Sequence, residues 1–258
     1  MNGTSHLRRR LLATLAGLLV FPPARAISGE LTLVSEPSLK GVMTAAAGAF
    51  EKATGMHVTL HFIKPSQLAT VLKGMDPPDL VVLPQELIDQ AMREGLLVAD
   101  SRRPFGRTGL VIAVKSGVPP PDVATPEALK RVLEGARSLA YADPAETLGG
   151  KQAAQLIAGL GLTEALKSRT TLGTGSNPVA QVGLGAVDIG LLPRHEAVDI
   201  TGVTVAGPLP AALQPWHTYG VALTENASNV AEARRLMDFL AADSGRRVLE
   251  ARGVWSPT

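Results

Sequence analysis

Residues 31–50 read LTLVSEPSLKGVMTAAAGAF, and the order of residue types here sets the fold class. Leu31-Thr32-Leu33-Val34 is a short apolar run with β-branched residues, which predicts a buried strand. Ser35-Glu36-Pro37-Ser38 is a turn in which Pro37 ends the strand. From there Leu39, Val42, Met43, Ala46, Ala47 and Phe50 recur at helical spacing. Ser38 is the expected N-cap of that helix. The first N–H groups of a helix lack internal partners and carry about half a positive charge, so the turn suits an anion. Taken alone it is an ordinary capped helix after a strand; two further turns of the same kind give it meaning.

Upstream, Arg8-Arg9-Arg10, the apolar run Leu11–Phe21 and the small residues around Ala24-Arg25-Ala26 form the three parts of a secretion signal. Cleavage is expected near Ala26, with residence in the periplasm. The apolar run is too short for a membrane span. General secretion is the expected route, because Leu7 precedes the arginines and no lysine follows Leu11-Leu12. The whole chain has 25 Lys+Arg and 23 Asp+Glu; the signal holds four arginines and no acid, which leaves 21 against 23 and a net charge of −2. Neither that balance nor an aromatic content of 3% points to nucleic acid. With no cysteine, an exported chain rests on its hydrophobic core alone. The remaining length, about 230 residues, suffices for one large domain or two lobes.

Downstream the alternation continues. Strands are expected at Val58–Ile63, Asp79–Leu83, Arg107–Val114, Ser138–Ala142, Val187–Leu192, Val203–Val205 and Thr218–Leu223. Helices are expected at Gln67–Lys73, Glu86–Arg93, Thr125–Glu134, Leu148–Ala158, Val179–Leu184, Asn229–Leu240 and Ser244–Ala251. Thr125 is a cap with Pro126 in the first helical position. This succession predicts an α/β fold with a largely parallel sheet.

Three strand-to-helix turns stand at comparable places: Ser35–Ser38, Lys64–Ser66 and Thr147–Gly150. In an open α/β sheet, ligands bind beyond the carboxyl ends of the strands. Gly149 and Gly150 allow close backbone approach and leave amide N–H groups uncovered. Together the turns predict an anion-binding cleft. The five histidines show no metal-ligand spacing, no P-loop or nucleophile-elbow motif occurs, and no cofactor is expected.

From Leu31 to Gly253 the chain resembles the periplasmic molybdate-binding proteins and their wider type II solute-binding relatives. The residues that carry this are the strand and turn Leu33–Leu39, FIKPSQLA at 62–69, PDLVVLPQELIDQAMREGLL at 78–97, ADPAETLGGKQAAQLIAGLGL at 142–162, AVDIGLLPRHEA at 186–197 and EARRLMDFLAADSGRRVLEARG at 232–253. The resemblance implies a two-lobed type II periplasmic binding protein fold with a ligand cleft between lobes and hinge closure. Residues 27–106 with 213–258 would form the first lobe, and 107–212 the second. It also implies a monomer that hands a small anion to the membrane subunits of an ABC-type importer.

In that family the oxyanion is held by hydroxyls and backbone N–H groups, without charged side chains. The resemblance places Ser38 at the first-turn serine, Pro65 at a ligand serine with Ser66 beside it, Gly149 at an alanine, and Pro193 at the tyrosine that closes the pocket. Two neutral side-chain ligands are therefore missing. Charged or titratable groups stand near the same edges: Glu36, Lys64, Arg107, Arg194 and His195, with His217 and Tyr219 at the return crossover. Arg107 either clamps a carboxylate with two parallel hydrogen bonds or is a surface arginine of its arginine-rich loop. The candidate ligand residues are Ser38, Lys64, Ser66, Arg107, Gly149, Gly150 and Arg194. Fixed cations favour an organic polycarboxylate over molybdate or tungstate. Aconitate isomerase is similar to this family in fold and secretion, which gives a second reading. Its allylic proton shift needs cationic clamps and an acid/base group, for which Glu36, Lys64, His195 and His217 are the candidates.

Overall fold

The computed structural model describes residues 30–256, and the secretion signal expected over 1–26 lies outside the described residues. The opening stretch forms β1 (Glu30–Ser35) and α1 (Lys40–Thr54). Val42, Met43, Ala46, Ala47 and Phe50 of α1 are all buried, as their spacing requires. The junction departs from expectation. Pro37–Leu39 winds as a 3₁₀ turn directly after Glu36, so helical conformation begins before Ser38. A proline there favours the early start, because its ring already holds a helical φ. Ser38 therefore sits inside the turn and is not the N-cap.

β2 (His57–Phe62), a 3₁₀ turn at Pro65–Gln67, α2 (Leu68–Leu72), β3 (Leu80–Pro84) and α3 (Gln85–Arg93) follow. β4 (Arg103–Lys115) begins four residues earlier than expected. The middle of the chain runs through α4 (Pro126–Gly135), β5 (Leu139–Ala142), α5 (Leu148–Gly159), α6 (Thr163–Lys167) and β6 (Thr170–Gly173). α7 (Asn177–Leu184), β7 (Ile189–Pro193), α8 (Arg194–Ala197) and β8 (Val203–Ala206) complete it. The chain returns through β9 (Trp216–Leu223) to α9 (Val230–Ala241) and α10 (Asp243–Ala251). α6 and β6 escape the hydrophobic pattern: α6 buries only Leu166, and the edge strand β6 buries nothing fully.

The strand order is β2-β1-β3-β9-β4-β7-β5-β6, with β8 also on β4. Parallel pairing is confined to β2-β1-β3 and β7-β5-β6. Strands β4, β8 and β9 run antiparallel to their partners, so the sheet is mixed rather than largely parallel. β4 changes partner along its length, from β9 over Arg103–Gly109 to β7 over Leu110–Ala113. That switch divides the sheet into two lobes. In the first, α1, α9 and α10 cover one face, where Phe50 and Phe239 meet edge to face at 5.5 Å. Leu72 of α2 and Ile88 of α3 cover the other. In the second, Leu129, Leu133 and Leu156 pack on one side and Val179, Val182 and Ala197 on the other. Burial on both faces accounts for the unbroken apolar runs LVVL at 80–83 and IGLL at 189–192.

Candidate functional site

A cleft of about 1530 Å³ opens between the lobes. Its lining follows directly on strand ends: Glu36 and Ser38 after β1, Lys64 and Ser66 after β2, Thr147 and Gly149 after β5, His195 and Glu196 after β7. Sheet topology reserves this place for a ligand. Thr108 of β4 with His217 and Tyr219 of β9 close the cleft where the strands cross. The volume exceeds the roughly 300–1,000 Å³ of a small-molecule pocket, as two lobes standing apart before hinge closure would give.

In the first turn the Ser38 hydroxyl donates to Glu36 Oε1 at 2.6 Å, and the Tyr219 hydroxyl donates to the same oxygen at 2.6 Å. Ser38 thus orients a carboxylate instead of capping a helix. Tyr219 is buried; burial first, and the field of Glu36 second, push its phenol well above its usual pKa and keep it a donor. Ser38→Ala is expected to cost less than about 1 kcal/mol of stability, because Tyr219 still holds Glu36. Thermal unfolding checks this, and a loss of about 2 kcal/mol would restore Ser38 as a cap.

In the second turn the Gln67 side-chain oxygen accepts from the Lys64 N–H at 3.0 Å, which fixes the turn with Lys64 on the cleft. In the third, Thr147 Oγ1 accepts from the Gly150 N–H at 3.0 Å and caps α5. The expected free donor of Gly150 is therefore taken up. A Cβ at Gly150 would strike the Ala142 carbonyl, so this glycine lets α5 sit close on β5 and does not line the cleft. Gly149 does line it, with the Pro193 ring 2.8 Å from where its Cβ would be.

Neither Arg107 nor Arg194 is among the cleft-lining groups. Side chains alternate along a strand, and Thr108 takes the cleft side of β4. Arg107 lies on the other side, its guanidinium 4.0 Å from the centre of the Trp216 ring. Arg194 lies 4.7 Å from the Trp255 ring centre and donates to the Glu250 carbonyl at 3.3 Å. The two tryptophans meet edge to face at 5.3 Å, so both arginines stack over the crossover, outside the cleft lining.

His195 is 3% exposed, and neither ring nitrogen has a hydrogen-bond partner. Burial, then the neighbouring His217, push its pKa down to about 3, so the ring is neutral. Burial first and the Glu36 carboxylate second push Glu196 up to about 7. Its Oε1 lies 4.0 Å from His195 Nε2, too far for a hydrogen bond, and a neutral imidazole makes no ion pair. His217 packs edge-on against Tyr219 at 4.9 Å; burial lowers its pKa against the opposing fields of Glu36 and Glu86. The structure therefore gathers Glu36, His195 and His217 around Glu196, which the sequence does not single out, and Tyr219, which it only places beside His217 at the return crossover. The signal for Glu196 is its place three residues beyond Pro193, at the end of a buried strand. Tyr219 has only its place in the crossover strand.

Two α/β lobes, antiparallel crossover strands and a polar cleft at the strand ends define a type II periplasmic binding protein. The chain belongs to the family described as bacterial extracellular solute-binding protein, whose model matches residues 31–254. It is 27% identical over 256 residues to the molybdate-binding protein ModA of Azotobacter vinelandii, covering 96% of this chain and 97% of that one. It is 26% identical over 229 residues to an aconitate isomerase from a Pseudomonas species, covering 87% of each. Its fold matches the substrate-binding domain assigned to a molybdenum ABC transporter of Clostridium difficile, with a TM-score of 0.76 at 20% identity, over 89% of this chain and 99% of that one.

Proposed function

We propose that the chain is an exported solute-binding protein that captures a small organic polycarboxylate between its lobes and hands it to an ABC-type importer. The make-up of the cleft carries this reading. Among the described residues Lys40 and Lys64 make no ion pair. They share the cleft with the hydroxyls of Ser66 and Thr147, a set that suits carboxylates. Glu36 lines the same cleft and repels a fully ionised inorganic oxyanion, whereas an organic acid can lay an uncharged carbon segment there. Lobes of 27–106 with 213–258 and of 107–212 fit this reading, because β4 changes partner after Gly109. A periplasmic monomer with its signal cleaved near Ala26 completes it.

Thermal-shift screening of the mature protein against citrate, the aconitates, molybdate, tungstate and sulfate tests the ligand. At hundredfold excess over Kd the true ligand adds about 2.7 kcal/mol of stability. Tight molybdate binding with no response to carboxylates would overturn the reading.

A second reading, isomerisation of an unsaturated tricarboxylate, is favoured by one observation. The cleft cluster of Glu36, Glu196, Tyr219, His195 and His217, of which Tyr219 and His195 are buried and the other three half-buried, holds more titratable chemistry than capture requires. The Pseudomonas relative is named as an aconitate isomerase. Conversion of trans-aconitate to the cis form by the purified protein supports it; tight binding without conversion leaves a carrier.

A further inference from the structure

We propose that Glu36 and Glu196 face one bound substrate from opposite lobes as base and acid, and together move a proton between two of its carbons. This rests on the isomerising reading above and names the groups that would perform it. Glu36 follows β1 in the first lobe, Glu196 stands on α8 after β7 in the second, and both line the cleft. Helix α8 packs against the Pro37–Leu39 turn and against α1, which brings the two carboxyls to the meeting line of the lobes.

The two groups are not equivalent. Ser38 and Tyr219 both donate to Glu36 Oε1, an arrangement that suits a carboxylate, and Oε2 has no protein partner among the described residues. Glu196 has only 22% of its side chain exposed and no hydrogen-bond donor on its carboxyl among the described residues. Such surroundings favour the neutral acid, in keeping with its pKa of about 7. Two carboxyls in such different surroundings, one held by two donors and one without any, can divide the acid and base roles. Around them stand His195 on the same helix, His217 and Tyr219 of β9, Lys40 of α1, and Asp199 ion-paired to Arg252. His195, with a pKa of about 3, stays neutral and does not compete for the proton.

The substrate class is an unsaturated polycarboxylate with a CH₂ between a carboxylate and a C=C bond. Glu36 takes one proton from that CH₂; the C–H pair becomes an allylic carbanion spread over the neighbouring double bond, stabilised by Lys64 and Lys40 on the carboxylates. Glu196 delivers its proton to the far carbon, a new C–H bond forms, and the double bond moves one position. Nothing is oxidised, reduced or released. Glu36 is left protonated and Glu196 ionised, and both reset by exchange with water when the lobes reopen. Base and acid already stand together where α8 packs on the first lobe, and the delivered hydrogen comes from solvent.

The test is incubation of the purified mature chain with trans-aconitate in deuterated water, followed by proton NMR. The wild type is expected to give product with solvent deuterium at the new C–H, at a rate that falls as pH rises through about 7. Glu196→Gln should slow conversion at least about 100-fold while still exchanging the substrate CH₂ with solvent; Glu36→Gln should lose both. Both variants should keep the thermal shift given by trans-aconitate, which separates chemistry from folding and binding. Wild-type rates of conversion in Glu196→Gln, loss of its thermal shift, or product that retains the substrate's own hydrogen would overturn the acid–base pair and leave isomerisation standing. No conversion and no exchange by the wild type would overturn both.

Discussion

Asp79→Ala is expected to remove about 4 kcal/mol of stability, close to a thousandfold in the folding equilibrium. Asp79 immediately precedes β3 and is 3% exposed. Its Oδ2 accepts from the Thr32 N–H of β1 at 3.0 Å. Its Oδ1 accepts from the Ser228 and Asn229 N–H groups at 2.9 and 2.8 Å, just where α9 begins. One carboxylate thus ties the first strand to the start of a helix, at Asn229, that lies 150 residues beyond Asp79 itself. Truncation leaves three backbone donors without partners, each costing roughly 1–3 kcal/mol when buried; partial access to water brings the sum down to about 4. Asp79→Asn keeps one acceptor oxygen and should recover part of the loss. Urea unfolding with an unchanged m-value checks the estimate. A cost under about 1 kcal/mol would show that water replaces the carboxylate without penalty.

What could be read from the sequence was local. Leu31 and Leu33 in β1, the buried stripe of α1, and the Thr125 cap, whose hydroxyl accepts from the Ala128 N–H at 3.1 Å, all form as their residue types dictate. What could not be read depends on distant partners. The antiparallel direction of β9 shows only when Val82 meets Val221. Arg103-Pro104 looks like loop, yet it pairs with β9 across a bulge between Pro104 and Gly106, where a strand tolerates proline.

The site divides along the same line. Lys64, Ser66 and Gly149 reach the cleft because the turns that carry them follow strand ends. Arg107 misses it by one residue of strand parity, and parity is set by the register that pairs Arg107 with Thr218 and Thr108 with His217. Glu196 and Tyr219 owe their chemistry to burial and to Glu36, neither of which a one-dimensional pattern contains.

His195→Leu should make the protein increasingly more stable than the wild type as the medium is acidified. His195 keeps a neutral ring in the folded state down to about pH 3, whereas in the unfolded chain it takes up a proton near pH 6.5. A depressed pKa of this kind leaves stability intact above about pH 6.5 and removes it as pH falls toward 3, by roughly 5 kcal/mol in all. Glu196 works in the opposite sense: raised to about 7, it contributes stability below its unfolded value of 4.5 that is lost as pH rises through 7. Between about pH 4.5 and 6.5 the two nearly cancel in the wild type, so the acid limb steepens only below 4.5. Leucine removes the proton uptake of residue 195 and two ring nitrogens that have no partner, so it should cost little at pH 7. The difference between variant and wild type, from urea unfolding across the range, should therefore grow by roughly 5 kcal/mol from pH 7 to pH 3. A difference that stays constant with pH would mean that His195 gains its proton in the folded protein as readily as in the unfolded one, and that the cleft is wet at its base.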